Sequence, residues 1–148
     1  MLNLHDVIEG SKIKYDGSVY DVKGKVLYVT EKESESVYAK MLLNDHNVLV
    51  ISPEDNVAYI GKNLGKLNEF NGYPTAVSFN GQQYELVNHD YQIVYSILFG
   101  NPLDVEGEVE FWDYESGDSI ISVAVTSRDK KRADVVAKYI SMEELELV

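Results

Sequence analysis

The sequence predicts an all-β, mainly antiparallel fold with little helix, on the basis of three observations. First, a hairpin-forming phrase occurs twice, as KYDGSVYDV at 14–22 and as SFNGQQYEL at 78–86. Second, the chain contains 11 tyrosines in 148 residues, and tyrosine is enriched in strands. Third, few segments have the periodicity of an amphipathic helix. We therefore expect two similar hairpin-rich halves, packed as a barrel or a sandwich.

The composition is that of a globular protein, with 45% hydrophobic and 26% charged residues, and the length suits a single domain, 1–148. The absence of cysteine excludes disulfides, thiol catalysis and cysteine metal sites. The net charge of −12 disfavours a nucleic-acid partner. The sequence contains neither a signal-peptide pattern nor eighteen consecutive apolar residues, so we expect a cytoplasmic protein without membrane insertion.

The two repeated phrases predict β-hairpins with two-residue type I′ turns. Asp16-Gly17 and Asn80-Gly81 are dipeptides that tolerate the positive φ angles of such turns. A two-residue loop places Lys12 opposite Asp21, where the two side chains can form an ion pair. Strand alternation then predicts two buried faces, Ile13/Tyr15/Tyr20/Val22 and Val77/Phe79/Tyr84/Leu86.

Each hairpin is followed by a strand, a polar turn and a returning strand, over 36–52 and over 109–125. This order indicates an internal repeat, with halves at about 11–60 and 75–148. Because each half alone would expose an apolar face, we expect the two hairpin faces to pack against each other.

Four further segments have weaker patterns. The sequence predicts a crossover at 53–72 that contains at most one short strand, and a loop at 99–107. Residues 133–140 could form a helix or a strand, and their Val, Tyr and Ile residues favour an edge strand. Asn3 is expected to cap a brief N-terminal turn, and Ser141 to Glu144 fit a capping box.

The order of these elements resembles a bacterial family known as domain of unknown function 4178. The residues that resemble it are EGSKIKYDGSVYDVKGKVLYV at 9–29, FNGQQYELV at 79–87, FWDYESGDSIISVAV at 111–125 and KYISMEELEL at 138–147. The resemblance implies a small cytoplasmic protein, often encoded near envelope-stress genes, with an accessory binding role. It supplies no catalytic residues and no cofactor.

Candidate binding residues lie in the acidic run DVEGEVEFWDYESGD, 104–118. The alternation shifts phase at Phe111 and Trp112, which predicts a β-bulge that turns one aromatic side chain outward. An exposed Trp112 or Tyr114 would then form a partner-binding spot together with Glu108, Glu110 and Asp113. The alternative is that these aromatic side chains fill the core and the carboxylates form a solvated outer face.

Each histidine is adjacent to an aspartate, as His5-Asp6, Asp45-His46 and His89-Asp90. Such pairs suit metal binding or acid–base catalysis, but neighbouring residues on a strand point to opposite faces. The cluster SRDKKRAD, 127–134, is interpreted as a charged hairpin loop rather than as a site for an acidic membrane surface.

Three functions follow as hypotheses. The first is a non-enzymatic module that binds another protein in a bacterial envelope-stress pathway. The second is a β-barrel that binds a small apolar or aromatic ligand between the Ile13/Tyr15/Tyr20 and Val77/Phe79/Tyr84 faces. The third is a metal-dependent hydrolase that uses His46 and His89. No cofactor is expected, and no phosphate-loop, nucleophile-elbow or H-E-x-x-H motif occurs in the sequence.

Overall fold

The computed structural model describes residues 2–30, 37–53, 55–67, 72–100, 108–127 and 130–148. Within these residues the chain contains no α-helix, and all paired strands are antiparallel, as predicted. The strands are β1 (Lys12–Tyr15), β2 (Ser18–Thr30), β3 (Val37–Leu43), β4 (Asn47–Ser52), β5 (Val57–Gly65), β6 (Ala76–Phe79), β7 (Gln82–Phe99), β8 (Glu108–Ser116), β9 (Ser119–Thr126), β10 (Asp134–Ile140) and β11 (Glu146–Leu147). Single-turn 3₁₀ helices span Leu4–Asp6, Asn44–His46 and Met142–Glu144.

Eight of the strands form a circuit of pairings, in the order β2-β3-β4-β5-β10-β9-β8-β7, and β7 in turn pairs with β2. The arrangement is barrel-like and has an inner and an outer face. β1 and β6 lie outside this circuit, each attached to one of the two longest strands. The circuit confirms the predicted all-β class and leaves two short hairpin strands on its outside.

Both predicted hairpins are confirmed. Asp16 and Gly17 have φ angles of 48° and 79°, and Asn80 and Gly81 have φ angles of 49° and 76°, as type I′ turns require. Tyr15 pairs with Ser18, Phe79 pairs with Gln82, and Lys12 forms the expected ion pair with Asp21.

The two predicted hairpin faces are partly buried, and they do not pack against each other. The buried residues are Ile13, Val22, Val77 and Tyr84, and the partly buried ones are Tyr15, Tyr20, Phe79 and Leu86. Ile13 and Val22 belong to an outer cluster that contains Val7, Met41, Leu49, Met142 and Leu145. Val77 and Tyr84 belong to a second outer cluster, with Trp112, Tyr114, Ile121 and Val123. The expectation of a shared interface was wrong because each hairpin covers the outer face of neighbouring strands. The inner face has its own cluster of Val48, Val50, Ile120, Val135 and Ala137.

The crossover predicted at 53–72 is largely replaced by β5, a nine-residue strand that pairs with β4 and β10. Ala58 and Ile60 alternate with less buried residues, which is the pattern of a half-buried strand. Gly61 lies opposite Ala137, and a Cβ atom on Gly61 would come within 2.1 Å of the Val136 carbonyl oxygen. A close approach between strands therefore explains why a glycine occurs at this position of β5.

β10 is a strand, as predicted, but it is not an edge strand. It pairs with β9 on one side and with β5 on the other. Its residues Val135 and Ala137 are buried, which is consistent with an interior position.

The predicted bulge at Trp112 lies instead in the neighbouring strand. β8 pairs with β9 without a register shift, whereas the β7–β8 register shifts between Leu86 and Asn88. Phe111 and Trp112 are both buried because β8 is covered on both faces. Two adjacent buried side chains interrupt the alternation of apolar and polar residues in the sequence in the same way as a bulge.

The chain termini are held by local caps and by one buried lysine. The Asn3 side chain accepts a hydrogen bond from the His5 amide, and Ser141 and Glu144 complete the predicted capping box. Lys25, only 4% exposed, donates to the carbonyl oxygens of Leu4 and Val7, and burial lowers its pKa.

No helix among the described residues has the length and apolar character needed to cross a membrane. The loop predicted at 99–107 lies mostly outside the described residues.

Candidate functional site

The five candidate binding residues are all on β8, where regular alternation divides them between two faces. Glu108, Glu110, Trp112 and Tyr114 share the outer face, and Asp113 is on the inner face. Asp104 and Glu106, which belong to the same acidic run, lie outside the described residues. The structure therefore places four of the candidates on one face and separates Asp113 from them.

Trp112 and Tyr114 are covered by the segment that precedes β6. Trp112 is 7% exposed, and the Tyr73 ring stacks on it with 3.5 Å between ring centroids. Tyr114 is fully buried, and its hydroxyl donates to the Pro74 carbonyl oxygen at 2.9 Å. The exposed aromatic side chain on which the binding spot depended is not found here, so these rings pack as core residues.

Two polar residues, His89 and Glu110, lie beside Trp112 on the outer face. His89 lies opposite Trp112 in the β7–β8 register and stacks on its ring at 4.7 Å. His89 Nε2 is 2.7 Å from a Glu110 carboxylate oxygen. The adjacent Asp90 lies opposite Phe111, on the other face. His89 is therefore paired with Glu110 across the strands, and the His89-Asp90 dipeptide does not converge on one centre.

His46 is in the exposed turn between β3 and β4, beside an open depression of about 510 Å³. Asp45 and His46 both have positive φ angles, of 57° and 62°. Among the described residues, no three His, Asp or Glu side chains come together in a way that could hold a metal ion.

The cluster at 127–134 contains a buried ion pair. Arg132 donates two hydrogen bonds to the Asp134 carboxylate, at 2.9 and 2.5 Å, and the Leu67 amide donates to the same carboxylate at 2.9 Å. Asp134 is fully buried. This pair joins the start of β10 to the residues after β5, so Arg132 has a structural role.

The inner face carries a cavity of about 170 Å³ that is open to solvent and lined by residues from β3, β4, β5, β7, β8 and β9. Three aromatic rings contribute to it, those of Tyr38, Tyr59 and Phe111. Tyr38 stacks on Tyr28 with 5.2 Å between centroids, and Tyr59 contacts Tyr139 edge to face at 6.0 Å. These contacts hold the rings of Tyr38 and Tyr59 in place.

Asp113 is one of the two carboxylates among the described residues that line this cavity, and Asp55 is the other. Burial raises its pKa to about 6, and hydrogen bonds from Ser122 and Asn88 partly oppose that increase. The Ser122 hydroxyl donates to it at 2.7 Å. Two residues further along β8, Glu115 accepts a hydrogen bond from the Tyr139 hydroxyl at 2.6 Å. Burial, together with this hydrogen bond, raises the pKa of Tyr139.

The predicted ligand-lining faces do not line this cavity. Ile13 and Tyr20 are in one outer cluster, and Val77 and Tyr84 are in the other. Tyr38, Tyr59 and Ser122, which line the cavity from β3, β5 and β9, were not among the predicted site residues. The uninterrupted apolar run from Val48 to Ile51 could have indicated this arrangement. A strand that is buried on both faces must be packed on both, which implies a filled layer on the outer side of β4.

The two hairpins differ in what pairs with their outer edges. β1 pairs with β2 on one side and with the C-terminal strand β11 on the other. Among the described residues, β6 pairs with β7 alone. The outer edge of β6 is therefore a short sheet edge with no strand bound to it in the described part of the chain.

Comparisons with known proteins give one match. No curated protein and no solved structure matches the chain. A family described as a domain of unknown function, DUF4178, matches residues 9–134. This match covers both hairpins and nearly the whole circuit of strands, and the chain therefore belongs to the DUF4178 family.

Proposed function

We propose that this domain is a non-enzymatic, protein-binding module whose partner adds an extended segment to the outer edge of β6. The observation that carries the proposal is the difference between the two hairpins: β11 occupies the edge of β1, and no described strand occupies the edge of β6. Addition of a strand to a sheet edge is a recurrent mode of peptide recognition, in which main-chain hydrogen bonds supply the affinity.

The register of the hairpins identifies the backbone groups involved. In β1, the Lys12 carbonyl oxygen accepts a hydrogen bond from the Val148 amide at 3.0 Å, so Lys12 and Lys14 face β11. The corresponding residues of β6, counted from the turn, are Ala76 and Ser78. Their N–H and C=O groups therefore point away from β7 and are the groups that a partner strand would use.

This correspondence also supports the proposal that the halves at 11–60 and 75–148 are copies of one module within a single domain. Two of the strand pairings between the halves join corresponding strands, β2 with β7 and β5 with β10. Duplication of one hairpin-rich unit accounts for the repeated phrase and for this pairing.

The acidic charge of the second half and the family resemblance indicate what kind of partner would bind. The second half, residues 77–148, carries fourteen acidic and five basic residues, and Glu85 is exposed near the β6 edge. A partner segment that alternates apolar and basic residues fits this surface. Following the family resemblance, we place the module and its partner in the bacterial cytoplasm, in the response to envelope stress.

A pull-down at low salt, followed by backbone hydrogen exchange on the recovered complex, tests the proposal. We expect the wild-type protein to recover one partner reproducibly, and the amides of Ala76 and Ser78 to exchange more slowly in the complex. Substitution Ser78→Pro removes the outward N–H donor, and an edge strand tolerates proline at such a position. This variant should fold and lose the partner.

The matched control is Ser78→Ala, which removes the side chain but retains the amide. It should recover the partner as the wild type does. Repeated failure of the wild type to recover a partner would refute the proposal, as would equal recovery by Ser78→Pro.

A further inference from the structure

We propose that the cavity on the inner face is a binding site for a small organic ammonium ion, held by the Asp113 carboxylate and the rings of Tyr38, Tyr59 and Phe111. This function is separate from strand addition at β6, because the cavity is lined by β3, β4, β5, β7, β8 and β9. It also differs from the apolar or aromatic ligand predicted from the sequence.

The charge of the lining residues favours a cation. Asp113 and Asp55 contribute carboxylates, and no lysine or arginine is among the described residues that line the cavity. The described groups that act on the charge of Asp113 are Ser122, Asn88 and Glu115, none of which is a cation. Lys40 lies on the inner face, opposite Val50, but it is not among the lining residues. A bound ammonium ion would supply the positive charge that this carboxylate lacks.

The aromatic rings make the site selective for an organic cation. An ammonium group is attracted to the face of an aromatic ring, and a set of such rings around a carboxylate recognises alkylammonium ions. Tyr28 and Tyr139 contact two of the rings, so these rings are already oriented in the free protein.

The size of the cavity limits the ligand. Its volume of about 170 Å³ is below the roughly 300–1,000 Å³ of pockets for drug-sized molecules, so a ligand of a few heavy atoms fits. Ser52 and Val57, beside the turn between β4 and β5, contribute to the lining, as does the exposed Asn88 on β7. Val57 is 37% exposed, which is consistent with access from solvent at this point.

Titration calorimetry with choline tests the proposal, and the neutral isostere 3,3-dimethylbutan-1-ol is the control for charge. We expect saturable binding of choline and at least tenfold weaker binding of the alcohol. Asp113→Asn should weaken choline binding at least tenfold, and Phe111→Leu, which keeps an apolar side chain but removes the ring, should weaken it several-fold. Asp118→Asn, at an exposed turn residue between β8 and β9 that does not line the cavity, should leave binding unchanged.

A lysine side chain from another protein could present the same chemical group. A second titration with Nα-acetyl-lysine methylamide separates the two sources: tighter binding of choline indicates a free ammonium ion, and tighter binding of the lysine derivative indicates a protein ligand. Either result supports the ammonium site. Absence of binding by both, equal binding of the neutral alcohol, or unchanged binding by a folded Asp113→Asn variant would overturn it.

Discussion

At the scale of single residues, Asp113 has the most unusual electrostatic environment among the candidate binding residues. It alternates with Trp112 and Tyr114 on β8, yet it is turned to the inner face and is hydrogen-bonded by Ser122 and Asn88. Burial raises its pKa from 3.8 to about 6, so the folded state holds a proton on this group that the unfolded state releases. The charged carboxylate therefore makes the fold less stable.

The sign of the resulting pH dependence follows from the direction of this shift. Above pH 6 the carboxylate is charged in both states, and the full cost of about 3 kcal/mol falls on the folded state. As the pH falls from 6 towards 4, the folded state takes up a proton first and the cost disappears. Asp113→Asn should therefore raise the free energy of unfolding by up to about 3 kcal/mol at pH 7.5, and by about half as much at pH 5.

Urea denaturation at the two pH values measures this difference. Asp118→Asn, at an exposed turn residue between β8 and β9, is the matched control and should change stability by less than about 0.5 kcal/mol at both pH values. An Asp113→Asn effect of the same size at pH 5 and at pH 7.5 would contradict the assignment of a raised pKa to this group.

At the scale of elements, the contact between β5 and β10 depends on one glycine. A Cβ atom on Gly61 would lie 2.1 Å from the Val136 carbonyl oxygen and 2.4 Å from the Ala137 Cα, both of which are backbone atoms that cannot rotate away. Gly61→Ala should therefore lower the free energy of unfolding by about 3 kcal/mol or more, at the upper end of the effects of overpacking.

Gly24→Ala is the control for this substitution. The added methyl group would lie 3.0 Å from Leu42 Cδ1, the end of a side chain that can move, so its cost should be distinctly smaller. Urea denaturation compares the two variants, and hydrogen exchange should show the loss of protection concentrated in β5 and β10 for Gly61→Ala. Equal costs for the two variants would contradict the close approach between these strands.

The same element shows which features of the fold can be predicted from the sequence. The hairpin at Asp16-Gly17 was predicted to the residue because its turn, register and ion pair depend on ten neighbouring residues. β5 was underestimated because its partners, β4 and β10, are not visible in its own pattern, and Gly61 looks like a breaker until Ala137 is placed opposite it. For the same reason β10 was predicted to be an edge strand.

At the scale of the whole molecule, the position of the site depends on which face of each strand is the inner one. Asp113 was predicted to share one binding spot with Trp112, and the regular alternation of β8 separates the two residues. Only the circuit of pairings shows that Asp113, Tyr38 and Tyr59 meet in one cavity. The sequence also gave no indication that Tyr73 covers Trp112, since Tyr73 is almost forty residues earlier in the chain. The site residues were therefore predictable in part, and their grouping was not.

The circuit also predicts that neither half folds alone. A fragment of residues 1–70 would leave the edges of β2 and β5 unpaired and would lack Met142 and Leu145 of its outer cluster. A fragment of residues 71–148 would leave one edge of β7 and one edge of β10 unpaired and half of the inner face exposed to water. We expect each fragment alone to give a poorly dispersed amide NMR spectrum, and an equimolar mixture to give a well-dispersed spectrum and to elute as a 1:1 complex. A single fragment that folds as a monomer would contradict the mutual dependence of the halves, because its unpaired edges and inner face would then need no partner.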